Sequence, residues 1–238
     1  MHNAAFDHDA DTPAGVGVVV VAGGSGTRLG AAEPKAFVPL AGRPLLDWAL
    51  TTIGQLPDLV GVVAVVPDAY ADREHPAFGS WLHPQVRLVT GGAQRADSVR
   101  AGLAVLPDCE VILVHDAARC LTPLAVFERV VAAVRAGDPG VVPGLAVVDT
   151  MKIVDADGFV TGTADRETLR AVQTPQGFAG PVLRAAHRGG GDATDDAGLV
   201  EQAGYAVRVV PGDPAAFKVT TPADLAAAQR LVARGWRP

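Results

Sequence analysis

Apolar residues fall in short unbroken blocks along most of the chain, seldom in strict alternation. Blocks at 16–22, 60–66, 86–90, 111–115, 141–142, 206–210 and 217–220 predict strands. Continuous runs suit strands covered on both faces, because neither side has to meet water. Stretches between the blocks predict helices at 44–55, 95–106, 123–136, 180–187, 195–203 and 222–234. The last begins with a capping Thr221 and with Pro222 at the first helical position, where no N–H is needed. Strands and helices in alternation imply an α/β fold with a mostly parallel sheet flanked by helices. In such sheets ligands collect at the carboxyl ends of the strands.

One segment breaks the pattern. Strand-like runs at 147–154 and 159–163 flank Asp155-Ala156-Asp157-Gly158, and the Asp-Gly turn predicts a β-hairpin where a crossover is otherwise expected. A lone two-stranded hairpin is marginal in water, so this one is expected to pack on something, and a second copy of the chain is the natural candidate. Residues 1–14 are polar and aperiodic and predict a disordered tail, in which His2 and His8 read as frayed rather than metal-binding. The rest, 15–238, reads as one domain carrying an arm at about 147–172.

Composition narrows the function. An apolar content of 49% is ample for a core, and a net charge of −6 leaves no general basic surface for nucleic acid. A lone nucleotide needs only a few local cations, so the acidic total does not exclude one. Cys109 and Cys120 offer neither a disulfide framework nor zinc spacing, which suits reduced thiols. The chain shows no signal peptide, and its apolar runs are too short to span a bilayer. Together these predict a cytoplasmic protein with no membrane contact.

The densest chemistry lies in Ala22-Gly23-Gly24-Ser25-Gly26-Thr27-Arg28-Leu29-Gly30, running on to Pro34-Lys35. Glycines after a strand let backbone N–H groups approach an anion, and Arg28 and Lys35 add two positive charges. The dinucleotide fingerprint is absent, since Leu29 stands where its third glycine belongs, and no P-loop run occurs. A second glycine segment, Gly91-Gly92-Ala93-Gln94-Arg95-Ala96-Asp97-Ser98, joins a strand to a helix and reads as a further backbone contact or as ordinary punctuation. In His115-Asp116-Ala117-Ala118-Arg119, Asp116 emerges on the ligand edge. A carboxylate beside phosphates implies an intervening cation, hence Mg²⁺, which takes one or two carboxylates plus phosphate oxygens. Arg119 is placed to grip a second phosphate; the alternative is a capping Asp with a surface Arg. Lys218, in an apolar stretch, must send its head to water or to an anion. Thr194-Asp195-Asp196 reads as a capped helix start.

Taken together, AGGSGTRLG with Pro34-Lys35, GGAQRADSV, VHDAAR, DTMK, TPQ and FKVTTPADL resemble the 2-C-methyl-D-erythritol 4-phosphate cytidylyltransferases of the non-mevalonate isoprenoid pathway. The resemblance implies a three-layer, Rossmann-like nucleotidyltransferase sheet with a protruding β-hairpin arm. It also implies transfer of CMP from CTP to methylerythritol phosphate with Mg²⁺, in a homodimer. By that likeness Arg28 and Lys35 stabilise the transition state. Ala22, Gly23, Gly24, Gly92, Ser98, Asp116 and Ala117 line the CTP site. Arg166 and Lys218 position the acceptor phosphate, with Thr150, Arg119 and Thr174 beside them, and the arm carries Thr150 and Arg166 to the partner's site. The sequence departs from the family pattern in two places. Cys120 follows Arg119 where Pro is common, and Ala215 stands where many members have Asp, with Asp213 two residues earlier. A related enzyme acting on another polyol phosphate, such as ribitol 5-phosphate, shares most of these features. A non-catalytic nucleotide-binding protein is expected to lack the four cations.

Overall fold

The computed structural model describes residues 13–78, 81–83, 85–191 and 193–237. The tail predicted over 1–14 lies almost wholly outside the described residues. In chain order the strands are β1 (Val16–Val21), β2 (Pro39–Leu40), β3 (Arg43–Pro44), β4 (Leu59–Val66), β5 (Val86–Thr90) and β6 (Val111–Asp116). They continue as β7 (Gly140–Ala146), β8 (Lys152–Val154), β9 (Val160–Thr163), β10 (Arg170–Val172), β11 (Gln176–Ala179) and β12 (Val207–Pro211). The helices are α1 (Leu45–Ile53), α2 (Arg95–Val105), α3 (Leu124–Arg135), α4 (Gly180–Arg188), α5 (Asp196–Gln202) and α6 (Pro222–Ala233).

The valine-rich blocks form the centre, where β-branched side chains fit a pleated, covered surface. Strands β5, β4, β1 and β6 pair in that order, all parallel. Beyond β6 the sheet becomes mixed: β11 is antiparallel to both β6 and β7, and β10 is antiparallel to β7. β10 and β11 follow each other along one edge of β7, and β12 runs parallel along the other. Helices α2, α4 and α5 pack together against one face of the sheet, and α1 and α3 meet on the other. The result is a Rossmann-like α/β sandwich with a mixed but mostly parallel sheet. A second, smaller core joins Leu40, Trp48, Leu121, Val219 and Ala228, and fixes α6 beside the carboxyl end of β6.

The structure differs from the sequence pattern in five places. Residues 217–220 are not a strand: Val219 N–H reaches Ala118 O at 2.8 Å, but β6 already has β1 and β11 on its two edges. Strand β7 extends well past 141–142, because its last residues pair with β12 and β10. β10 and β11 were not foreseen, since Arg170-Ala171-Val172 and Gln176-Gly177-Phe178-Ala179 carry too little apolar bulk to form a block. Because β10 rejoins the sheet, the projecting part of the arm ends before residue 170. The small β2–β3 hairpin also escaped notice; its turn puts Ala41 at φ 49° and Gly42 at φ 80°, a geometry usually signalled by Asn-Gly.

Candidate active site

The loop after β1 is set by its backbone. Ala22 N–H bonds Val65 O at 2.8 Å and ends the strand against its neighbour. Gly26 takes φ 76°, and a Cβ there would sit 2.7 Å from Glu33 O. The chain therefore folds back on itself, and Lys35 N–H closes the loop on Gly24 O at 3.0 Å. Lys35 opens a short 3-10 turn whose Phe37 is buried and stacks on Tyr70 at 4.0 Å. The base of the lysine is thereby anchored while its ammonium faces the loop.

The second glycine segment is clamped by its own helix. Gly92 N–H bonds Ser98 Oγ at 3.2 Å, Ser98 Oγ–H bonds Gln94 O at 3.2 Å, and Gln94 N–H bonds Asp97 Oδ2 at 3.1 Å. A Cβ on Gly92 would fall 2.2 Å from Asp97 Cβ, so only glycine allows the approach. The two segments face each other across a cavity of about 430 Å³, at the carboxyl ends of β1, β4, β5 and β6. It is walled by Ala22, Gly23, Gly24, Gly92, Ser98 and Ala117, with Lys35, Arg95, Asp116 and Lys218 supplying the charge. That volume lies in the range of ordinary ligand pockets. A neighbouring recess of about 170 Å³ shares Gly24 and Lys35 and adds Arg28 and Thr220.

The charges are unevenly satisfied. Asp116 Oδ2 accepts from Lys218 Nζ at 2.7 Å, and its Oδ1 lies 3.6 Å from Arg95 Nε. Burial alone would push the Asp116 carboxyl up, but Lys218 and Arg95 outweigh it and hold it down at about 2. Lys35 is lowered too, but here that works against the charged form: burial, then the neighbouring cations Lys218 and Arg28, lower it despite Asp116. Among the described residues neither Arg28 nor Lys35 has an ion-pair partner, so two cations face the glycine loop without an internal anion. Among the described residues no cluster of three or more His, Cys, Asp or Glu could hold a metal. Asp213 is engaged as a cap, accepting from Ala215 N–H at 2.8 Å. Asp116 is the carboxylate among the residues lining the cavity, so it is the side chain there that could hold a metal shared with phosphates.

The remaining candidates fall outside the cavity wall. Thr174 is buried, with its hydroxyl 3.0 Å from both Asp116 N–H and His115 Nδ1. It fixes the backbone that carries Asp116. His115 is pushed down to about 4 by burial and stays neutral, which leaves it a structural group rather than a base at neutral pH. Arg119 spends its guanidinium on Ala216 O at 2.8 Å and Val172 O at 3.2 Å, tying the Lys218 segment to the sheet. Thr150 and Arg166 are exposed on the arm, where Arg166 Nη1 bonds Val148 O at 2.7 Å. Sequence reasoning quoted Arg95 within its motif but gave it no role, and it read Asp196 as part of a cap. Asp195 does the capping, through Gly198 N–H at 2.9 Å, while Asp196 turns inward to Arg95 at 2.5 Å. The available signal was an acid followed directly by Ala197, Leu199 and Val200, all buried.

A mostly parallel sheet, a glycine loop with two cations that have no ion-pair partner among the described residues, and an ionised carboxylate at a strand end define an α/β protein whose cavity suits a polyphosphate. The model of the family "2-C-methyl-D-erythritol 4-phosphate cytidylyltransferase" matches residues 16–234. A protein of that name from Nocardia farcinica is 51% identical over 95% of this chain and 98% of its own length. Another from Rhodococcus opacus is 50% identical over 91% and 95%. The crystal structure of the Thermus thermophilus enzyme superposes with a TM-score of 0.77 at 34% identity, covering 92% of this chain and 99% of the other. The chain belongs to the 2-C-methyl-D-erythritol 4-phosphate cytidylyltransferase family.

Proposed function

We propose that the protein transfers CMP from CTP to 2-C-methyl-D-erythritol 4-phosphate and releases pyrophosphate. The observation that carries this is two cations at the glycine loop, Arg28 and Lys35, without an ion-pair partner among the described residues and beside an ionised Asp116. An oxygen of the acceptor phosphate attacks the α-phosphorus of CTP. The new P–O bond forms as the bond from the α-phosphorus to the bridging oxygen breaks, and the electron pair leaves with pyrophosphate. The attacking oxygen is already anionic at pH 7, so no strong base is required. The difficulty is repulsion between two anions and the charge that develops during transfer, and fixed positive charge answers both. Arg28 and Lys35 hold the triphosphate and stabilise the departing charge. Backbone groups of Gly23, Gly24 and Gly92 line the nucleotide. Lys218 is placed to exchange Asp116 for the acceptor phosphate.

Asp116 would hold Mg²⁺ together with phosphate oxygens; when bound, the ion neutralises phosphate charge and draws the triphosphate into line. We assign the arm to a homodimer contact, supported by its exposed Val148, Ile153, Val154, Phe159 and Val160. In that arrangement Thr150 and Arg166, which stand away from this chain's own cavity, serve the partner's acceptor site. Buried, unpaired Cys109 and Cys120 accord with a cytoplasmic setting, and no described helix is long and apolar enough to cross a membrane.

The test is pyrophosphate release from purified protein with CTP, methylerythritol phosphate and Mg²⁺. UTP, ATP, GTP and ribitol 5-phosphate run beside them. Release confined to the first combination is expected. Release only with ribitol 5-phosphate would overturn the acceptor assignment, and silence from folded protein that still binds CTP would overturn catalysis itself.

A further inference from the structure

Asp196 is an acid with no exposed surface. Burying an ionised carboxylate is costly unless both oxygens are paired. Here they are divided: Oδ2 accepts from Arg95 Nη1 at 2.5 Å, and Oδ1 meets His187 Nε2 at 3.0 Å. Helix α5 has no need of this acid for its start. Asp195 caps it through Gly198 N–H, and accepts from Gln176 Nε2 at 2.8 Å with its other oxygen. Ala197, Leu199 and Val200 already supply the apolar contacts of that turn. The fold alone gives no reason to place an acid there. What Asp196 does reach is Arg95, and Arg95 Nε lies 3.6 Å from Asp116 Oδ1. A line of polar contacts thus runs from α4 through α5 and α2 to the end of β6: His187, Asp196, Arg95, Asp116.

We infer that Asp196, backed by His187, is a positioning residue for the transfer. It holds the Arg95 guanidinium against the nucleotide cavity and, through Arg95, fixes the orientation of the Asp116 carboxylate. The inference rests on Asp116 serving the nucleotide site as proposed above. Lys218 holds Oδ2 of Asp116 at 2.7 Å. Once Lys218 turns to the acceptor phosphate, that restraint is gone, and Arg95 still holds Oδ1. Arg95 can do so only if its own guanidinium is fixed from behind, and Asp196 makes the shorter of its two ion pairs.

A double-mutant cycle in pyrophosphate release tests this, with folded fraction checked by circular dichroism and rates taken well below each melting point. Asp196→Asn is expected to lower kcat/KM for CTP by roughly tenfold or more, the scale on which small misplacements act. His187→Gln is expected to lose less, in the same direction. Combining Arg95→Gln with Asp196→Asn is expected to cost no more than Arg95→Gln alone, because Asp196 acts only through Arg95. A purely structural Asp196 would lower the melting temperature of each variant without this saturation in kcat/KM. The inference is overturned if folded Asp196→Asn keeps kcat/KM within twofold of wild type, or if the two losses multiply. Should Asp196→Asn fail to fold, the apolar pair Arg95→Met with Asp196→Leu is compared with Arg95→Met alone. Equal rates support the inference, and a further loss in the double variant rejects it. Asp116→Asn in the same assay separates the two readings. A wild-type rate there would remove Asp116 from the site, whereas a loss there beside an unaffected Asp196→Asn would reject only the network.

Discussion

Lys35 shows how a residue can be tuned by what it lacks. Burial and the nearby Lys218 and Arg28 work against its charge more than Asp116 supports it, and among the described residues no carboxylate forms an ion pair with it. A bound triphosphate relieves that conflict, most of all as charge moves onto the leaving group. Lys35→Ala and Arg28→Ala are therefore expected to lower kcat by about 10²–10³, the usual cost of one electrostatic donor. CTP affinity should fall much less. Steady-state rates beside calorimetric CTP binding decide the matter, and near-wild-type turnover in both variants would remove the loop from the mechanism. The two cysteines make an opposite case. Burial pushes the Cys109 thiol up to about 11 and the Cys120 thiol up to about 12. A folded value raised above the unfolded one gives stability that is full below about pH 9 and is lost as the pH rises toward those values. Both thiols should resist alkylation at pH 8 in the native protein and react promptly in denaturant; fast native labelling would contradict their burial. The cations Arg28, Lys35 and Lys218 were legible because they stand in a glycine loop or an apolar stretch. Arg95 and Asp196 were not, because their pairing joins residues 101 positions apart.

Among the elements, α6 was read most fully from sequence. Thr221 Oγ accepts from Asp224 N–H at 3.2 Å, Asp224 Oδ2 accepts from Thr221 N–H at 2.8 Å, and Pro222 takes the first position. This capping box begins three residues after Lys218, so it also ends the segment that carries the lysine. Thr221→Ala is expected to cost about 1 kcal/mol of stability, the usual value of an N-cap. It should also raise KM for the acceptor more than KM for CTP. Urea denaturation with parallel kinetics tests both, and an unchanged unfolding midpoint would show that the cap carries no stability. The central strands were legible for a related reason: each is an apolar block whose chemistry does not depend on its neighbours. Strands β10 and β11 were hidden because tertiary pairing makes them. Gln176–Ala179 becomes a strand only because the edges of β6 and β7 lie on either side of it. The stretch at 217–220 failed in the reverse sense, with strand-like composition and no free edge to join.

For the whole molecule, the arm sets the open question of assembly. Phe159 is 72% exposed and Val148 79% exposed, while the hairpin's other contacts are mostly internal to it. Apolar side chains gathered on a two-stranded projection gain nothing from water, and a hairpin of that size has little stability of its own. A partner arm would cover them. A homodimer places identical patches against each other, which suits a single self-complementary surface. Phe159→Glu combined with Val160→Lys is expected to shift the protein to a monomer, read by sedimentation velocity over a range of concentrations. The sheet and the nucleotide cavity do not include these residues, so CTP binding should survive. Activity with the acceptor should fall steeply, because Arg166 would no longer reach across. If the double variant stays dimeric, the arm is not the interface. If it becomes monomeric with full activity, Arg166 serves no partner and the acceptor site is complete within one chain.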